Sequence, residues 1–256
     1  MFTRLLSATC LFFALAALAA CNEDDSVTDI LSGNIPVTDA DIVQGLKTAL
    51  NQGTDTSVAT LNKTNGYWQD LAVRILLPPQ AQNVYNAATT IPGLGAAFSS
   101  AMDDFQLKMN RAAEDAAAKA KPIFVEAITD ITITDGINIV KGDSLAATSY
   151  LKTSTYANLT SAFKPDIQAS LEGVGAQQAW NTIVGAYNPV ISTYNTAQSL
   201  LGGQTFALLP ADLSLYVTER ALDGLFQKVG AEEKRIRRDP LARVKEILRR
   251  VFALQD

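Results

Sequence analysis

Apolar side chains recur along this chain at three- and four-residue intervals, and strict apolar/polar alternation is almost absent. That period belongs to helices packed on one face. The first ordered stretch begins at Thr38, where Thr-Asp-Ala-Asp precedes Ile42, Val43, Leu46, Ala49 and Leu50. A capping residue with an acid three positions on predicts a helix start, and Gly53 predicts its stop. Pro78-Pro79 opens a segment ending near Pro92-Gly93. The longest run, Leu94 to Lys119, places Leu94, Phe98, Ala101, Phe105, Met109, Ala112 and Ala116 on one stripe. At the helical rise it would be about 39 Å long. Pro122 suits the first turn of a further helix through Ile131.

Ile131-Thr-Ile-Thr-Asp-Gly136 is the only strand-like text, with one short alternation and no partner of matching quality. It reads as a loop into a short helix ending at Gly142. Asp143 then caps a helix through Leu151, another runs from Thr155 to Phe163, and Pro165 opens one ending near Gly173. Pro210 and Asp212 precede Leu213 to Val229, which carries apolar residues on several faces and so predicts a central, buried helix. Asp239-Pro240 opens a last helix with Leu241, Val244, Leu248, Val251 and Phe252 along one side. The expected fold class is all-α, a single compact domain of about 8–10 helices over residues 38–256. No period of 20–50 residues repeats, which argues against a solenoid.

Gly173 to Ala211 contains no charged residue across 39 positions. Asn and Gln side chains and Pro189 interrupt it, so it does not read as a membrane span. Trp180, Tyr187 and Tyr194 fall at sevenfold spacing. Such a stripe can bind a sugar or an apolar ligand, but at helical spacing core packing is the expectation.

The first twenty residues have a different character. A short start containing Arg4 leads into the uncharged run Leu5 to Ala20, then Leu18-Ala19-Ala20-Cys21 is followed by Asn-Glu-Asp-Asp. The run is short for a membrane-spanning helix and ends in small residues, the marks of a secretory signal. Leu-Ala-Ala-Cys looks like a bacterial lipobox, with Cys21 the lipid-attachment residue. The alternative is ordinary cleavage after Ala20 that leaves Cys21 a free thiol. Residues 21–37 read as an acidic, polar tether. Several acyl chains would anchor the domain stably, and Asn22 favours the outer membrane, facing the periplasm.

Composition narrows the chemistry. The 256 residues include no histidine and two cysteines, Cys10 within the leader and Cys21. Triads, two-histidine zinc sites and histidine proton shuttles are excluded. A formal charge of −5 does not suggest a nucleic-acid binder. No cofactor is expected, and partners are the membrane through Cys21 and an envelope protein or small ligand.

Several stretches together resemble a bacterial family of secreted proteins and lipoproteins catalogued as domain of unknown function 4197. They are Ala40-Asp-Ile-Val-Gln-Gly-Leu-Lys-Thr-Ala-Leu50, Asn65-Gly-Tyr-Trp68, Asn110-Arg-Ala-Ala-Glu114, Ala146-Ala-Thr-Ser-Tyr150, Ala221-Leu-Asp-Gly-Leu-Phe226, and Glu232-Glu-Lys-Arg-Ile-Arg237 with Pro240 and Arg243. The resemblance spans residues 38–254, is poor from Gly175 to Ala207, and implies a helical envelope domain without an assigned reaction.

Candidate polar chemistry lies within those stretches. Asn110, Arg111 and Glu114 share a helix, Arg220 and Asp223 are one turn apart, and Glu233 and Arg237 form an i,i+4 pair. Charges on buried helices must be paired. Either these groups form a pocket, with Arg111 and Arg220 meeting an anion, or they satisfy one another between helices; the second is expected. A histidine-free hydrolase or lyase using Glu114 or Asp223 requires those side chains to converge on one cavity. Residues 232–256 hold eight Lys or Arg against five acids. A basic terminal helix of this kind can rest on anionic headgroups, but docking onto the acidic remainder of the domain is the expectation. The sequence thus favours a non-catalytic binding or scaffold role.

Overall fold

A computed structural model describes residues 37–79, 81–82, 95–173, 175–203, 205–210, 212–243 and 247. Seven α-helices run through them: α1 (Asp39–Leu61), α2 (Gly95–Ala116), α3 (Ala120–Thr129), α4 (Ile133–Lys141), α5 (Ala146–Gly173), α6 (Ala176–Leu201) and α7 (Leu213–Arg238). Short 3-10 turns follow α2 (Ala117–Lys119) and α7 (Pro240–Ala242). Among the described residues there is no strand, so the all-α class read from the periodicity holds.

α5 has the most helix neighbours, packing on α7, α2, α3, α6 and α4; α3 and α4 lie on α1, and α7 packs against both α5 and α1. The sequence of α7 accounts for its position. Leu213, Val217, Ala221, Leu222, Leu225, Phe226 and Val229 are buried around more than one face. Asp212 caps it by accepting from the Leu215 N–H at 3.0 Å. The helix continues past Val229 to Arg238 because Gly230 and Glu233 are buried on the continuing face, Gly230 against Leu145 of the α4–α5 connection and Thr148 of α5.

Two expected breaks are absent for physical reasons. α1 runs through Gly53, which faces α7: a Cβ on Gly53 would lie 3.6 Å from that of Glu232. The neighbouring hydroxyls bond back to their own helix, Thr54 to Leu50 O and Ser57 to Gly53 O. Small residues therefore mark a helix contact here, not a helix end. The three short helices expected between Asp143 and Gly173 are one, with Pro165 inside it. Leu151, Thr155, Leu159, Phe163, Ile167 and Leu171 step every four residues and are all buried. Burying that stripe against α7, α2, α3 and α6 outweighs the roughly 3 kcal/mol a mid-helix proline costs.

The strand-like text is a helix start. Thr132 accepts from the Asp135 N–H at 3.2 Å, and Asp135 accepts from Thr132 N–H, a reciprocal cap on α4. On α2 the expected stripe is buried at Phe105, Met109, Ala112 and Ala116. Leu94 and the side chains of Phe98 and Ala101 lie outside the described residues, as does most of the segment from Pro79 to Gly93. Of the last expected stripe, Leu241 is 90% exposed, which corrects its placement on a packed face; Val244, Leu248, Val251 and Phe252 lie outside the described residues. Residues 1–36, with Cys21, are also outside them.

Candidate functional site

The polar side chains singled out on α2 organise the irregular segment that follows α1. Asn65 adopts a left-handed conformation (φ 71°), and at Gly66 a Cβ would fall 2.3 Å from Leu61 O, so the turn admits only glycine. This turn aims three of its N–H groups at one carboxylate, while that of Gly66 closes back onto Lys63 O. Glu114 Oε1 accepts from the Tyr67 and Trp68 N–H groups, each at 3.1 Å. Its Oε2 accepts from Asn65 N–H at 3.2 Å and Arg111 Nη1 at 2.5 Å. Arg111 Nη2 reaches Asn65 Oδ1 at 2.8 Å, and Asn62 donates to Glu114 O at 2.8 Å.

One turn earlier, Asn110 Oδ1 accepts from Ile75 N–H at 2.8 Å while its Nδ2 donates to Ile75 O at 2.9 Å. The amide supplies the bonding of a neighbouring strand to a single extended residue. Tyr67, fully buried, donates from its hydroxyl to Ala221 O on α7 at 2.9 Å. Burial, and then the charge of Glu114, push its phenol pKa up, so it remains a donor.

Glu233 and Arg237 form a second buried network. Glu233 accepts from Ala147 N–H, Thr148 N–H and Thr148 Oγ1 at 2.7–3.0 Å, which caps α5 from another helix. Arg237 Nε bonds Glu233 at 3.0 Å, and its terminal nitrogens donate to Ile139 O and Val140 O at the end of α4. Arg243, only 2% exposed, donates to Ile236 O and Arg237 O at the end of α7. It is a side-chain cap on the C-terminus of α7.

Arg220 and Asp223 are different. They pair at 3.0 Å on the exposed side of α7, with Lys152 3.8 Å from Asp223. They border a groove of about 290 Å3 running along residues 72–77, whose lining does not include Arg111 or Glu114. Tyr67 bridges the two regions, its N–H on Glu114 and its hydroxyl on Ala221. The candidate groups therefore form three separate clusters and do not converge on one cavity. Among the described residues no group of three His, Cys, Asp or Glu could hold a metal ion.

A profile of the family described as protein of unknown function, DUF4197, matches residues 36–253. The chain belongs to this family. No curated protein and no solved structure gives a significant match. In this DUF4197 chain, both buried networks are built from the stretches that carried the resemblance: Asn65–Trp68 with Asn110–Glu114, and Ala146–Tyr150 with Glu232–Arg237.

The uncharged stretch of the DUF4197 domain is held by groups the sequence reading missed. α6 starts after Gly175 and ends at Gly202, both left-handed. Trp180 is buried, stacked on Phe105 at 6.0 Å, and donates to Pro210 O at 2.8 Å. Tyr194, expected in the core, is 40% exposed against Phe206 instead. The working residues are asparagines. Asn188 exchanges two hydrogen bonds with the Leu209 backbone, at 2.9 and 3.0 Å, and Asn195 does the same with Phe206, at 2.8 and 2.7 Å. The repeated Tyr-Asn dipeptide, at 187–188 and 194–195, was the available signal.

Proposed function

We propose that this DUF4197 protein is a lipid-anchored domain of the bacterial envelope, held at the outer membrane through Cys21 and facing the periplasm, with a non-catalytic binding or scaffold role. The observation that carries the non-catalytic reading is the state of Glu114. Its carboxylate accepts from three backbone N–H groups and an arginine, 3% exposed. A general acid or base must exchange its proton with a substrate, and these lone pairs are committed to the fold. Glu233 is committed in the same manner. The anchor is supported by the apolar run ending Leu18-Ala-Ala-Cys21 and the polar tether after it. Among the described residues no helix is long and apolar enough to cross a membrane.

The test is crosslinking in intact host cells followed by purification, with native mass spectrometry of the purified protein. A discrete added mass, or one envelope protein enriched above abundant neighbours, is the expected result. Recovery of abundant bystanders alone, with no retained mass, contradicts a binding role.

A further inference from the structure

The far end of α6 is the one apolar surface of the described residues whose chemistry selects its occupant. Leu200 and Leu201 are 83% and 79% exposed, with Phe206, Leu208 and Tyr194 40–48% exposed beside them. Among the described side chains of α6, none beyond Val184 belongs to the packed core, and a Cβ on Gly185 would meet nothing within 4 Å. Beyond Asn188, which bonds the buried Leu209, residues 189–201 carry the tip about 20 Å along the helix axis. Exposed apolar clusters of this kind mark contact surfaces.

We propose that this tip, residues 194–203 and 205–208, dips into the interfacial layer of a lipid bilayer. Charge is the first argument. No Asp, Glu, Lys or Arg occurs between Glu172 and Asp212, so entry into a low-dielectric layer requires no ion to be desolvated. The polar groups around the tip are uncharged hydroxyls and amides such as Thr196 and Ser199, which the interfacial layer accommodates at far lower cost than ions. Backbone bonding is the second argument. Apolar surroundings tolerate a non-helical segment only when its peptide groups find partners within the protein. Here Gly202 and Gly203 donate to Gln198 O, Phe206 exchanges both its backbone groups with Asn195, and Leu209 does so with Asn188. Residues 202, 203, 206 and 209 therefore bring hydrogen-bond partners with them.

Reach is the third argument, and it rests on the lipid anchor proposed above. The sixteen residues after Cys21 up to Val37 extend at most about 55 Å, a length that leaves the domain free to turn relative to its anchor. The tip is a second, reversible contact that fixes which way the domain faces.

The test uses the full chain, processed and lipidated by its host, reconstituted in phosphatidylethanolamine/phosphatidylcholine vesicles. An environment-sensitive dye is placed on Leu201→Cys, or on Thr153→Cys as an exposed control; peptide mass verifies that no other cysteine is labelled. Flotation reports the anchor and the dye reports the tip. The expected result is several-fold brighter, blue-shifted emission at 201, quenched by lipid-borne quencher, with 153 aqueous. Adding L200S and F206S should return the 201 dye to aqueous emission while the protein still floats. An aqueous dye at 201 on floating protein overturns the tip contact and leaves the anchor standing. Brightening that follows protein concentration and not lipid overturns it in favour of a second copy. Protein that does not float but brightens at 201 on adding vesicles supports the tip and sinks the anchor; no brightening in excess vesicles sinks the tip as well.

Discussion

Glu233 and Arg237, one turn apart on α7, bond to the ends of two other helices: the carboxylate to the N-terminus of α5, the guanidinium to the C-terminus of α4. Each charge faces the end of a helix dipole that favours it, and both side chains are under 10% exposed. The pair therefore does more than neutralise itself. It fixes the α4–α5 corner against α7.

This arrangement separates pairing from placement. E233Q or R237A leaves a buried charge without its partner and is expected to cost about 3–5 kcal/mol. The swap E233R/R237E keeps a pair but puts the wrong sign at each helix end, so it should not recover the loss. Thermal unfolding of the three variants checks this; a swap as stable as wild type would show that pairing alone matters.

Glu114 is expected to behave similarly for a different reason. E114Q retains one acceptor oxygen but turns an amide donor toward Arg111 or toward the N–H groups of the Asn65–Trp68 turn. The expected loss is about 2–4 kcal/mol, or roughly 2–4 °C per kcal/mol for a domain of this size. Amide exchange should accelerate first at Asn65, Tyr67 and Trp68. Uniform acceleration across the domain would contradict a local role.

Two glycines on packed helix faces should respond with opposite signs. Gly53 borders a small apolar cavity of about 20 Å3, and its Cβ would meet only ordinary contacts. G53A is expected to stabilise by about 0.5–1 kcal/mol, from helix propensity and reduced unfolded-chain freedom. At Gly224 a Cβ would lie 2.9 Å from the Tyr67 ring and 3.1 Å from Val73 Cβ. G224A is expected to destabilise by about 1–3 kcal/mol. Denaturant midpoints decide both.

The α6 asparagines should affect local order without affecting the core. N188A/N195A removes four hydrogen bonds to residues 206 and 209. Protease cleavage between Gly203 and Leu209 should rise several-fold while the denaturation midpoint of the core changes little. A cooperative loss of the whole fold would mean that this segment is integral to the core.

Acid should act through two carboxylates. The hydrogen bond from Lys228, aided by Ala72 N–H and opposed by burial, lowers the pKa of Asp70. Burial opposes ionisation of Asp212, but bonds from Lys164, Ser214 and Leu215 N–H outweigh it and bring its carboxyl to about 2. Both folded-state values lie below those of the unfolded chain, so their stabilisation is complete above about pH 4 and is lost as pH falls toward 2. D212N, which still caps α7, should show a smaller loss of stability across that window than wild type. An identical acid profile would remove Asp212 from the explanation.

The helices were legible because burial writes a long, simple signal: Phe105, Met109, Ala112 and Ala116, or Leu213 through Val229. The junctions were less so. Pro165 and Gly53 are local breakers whose cost is overridden by stripes of burial and close helix contact, which no short window contains. The pairs Arg111–Glu114, Arg220–Asp223 and Glu233–Arg237 could be read from helical spacing, but their roles could not. What Glu114 and Glu233 hold is backbone N–H groups 46–49 and 85–86 residues away, and side-chain types say nothing about where distant main chain arrives. The bonds of Arg243 to Ile236 O and Arg237 O and those of the two α6 asparagines were missed for the same reason, since each is made to main chain.

The proposed lipid anchor at the N-terminus is tested directly by the mass of the N-terminal peptide from protein purified out of its native membranes. The predicted result is a peptide beginning at Cys21 with diacylglyceryl and amide-linked acyl mass, and no species retaining residues 1–20. A peptide that begins at Cys21 with an unmodified thiol, or one that still begins at Met1, would contradict it.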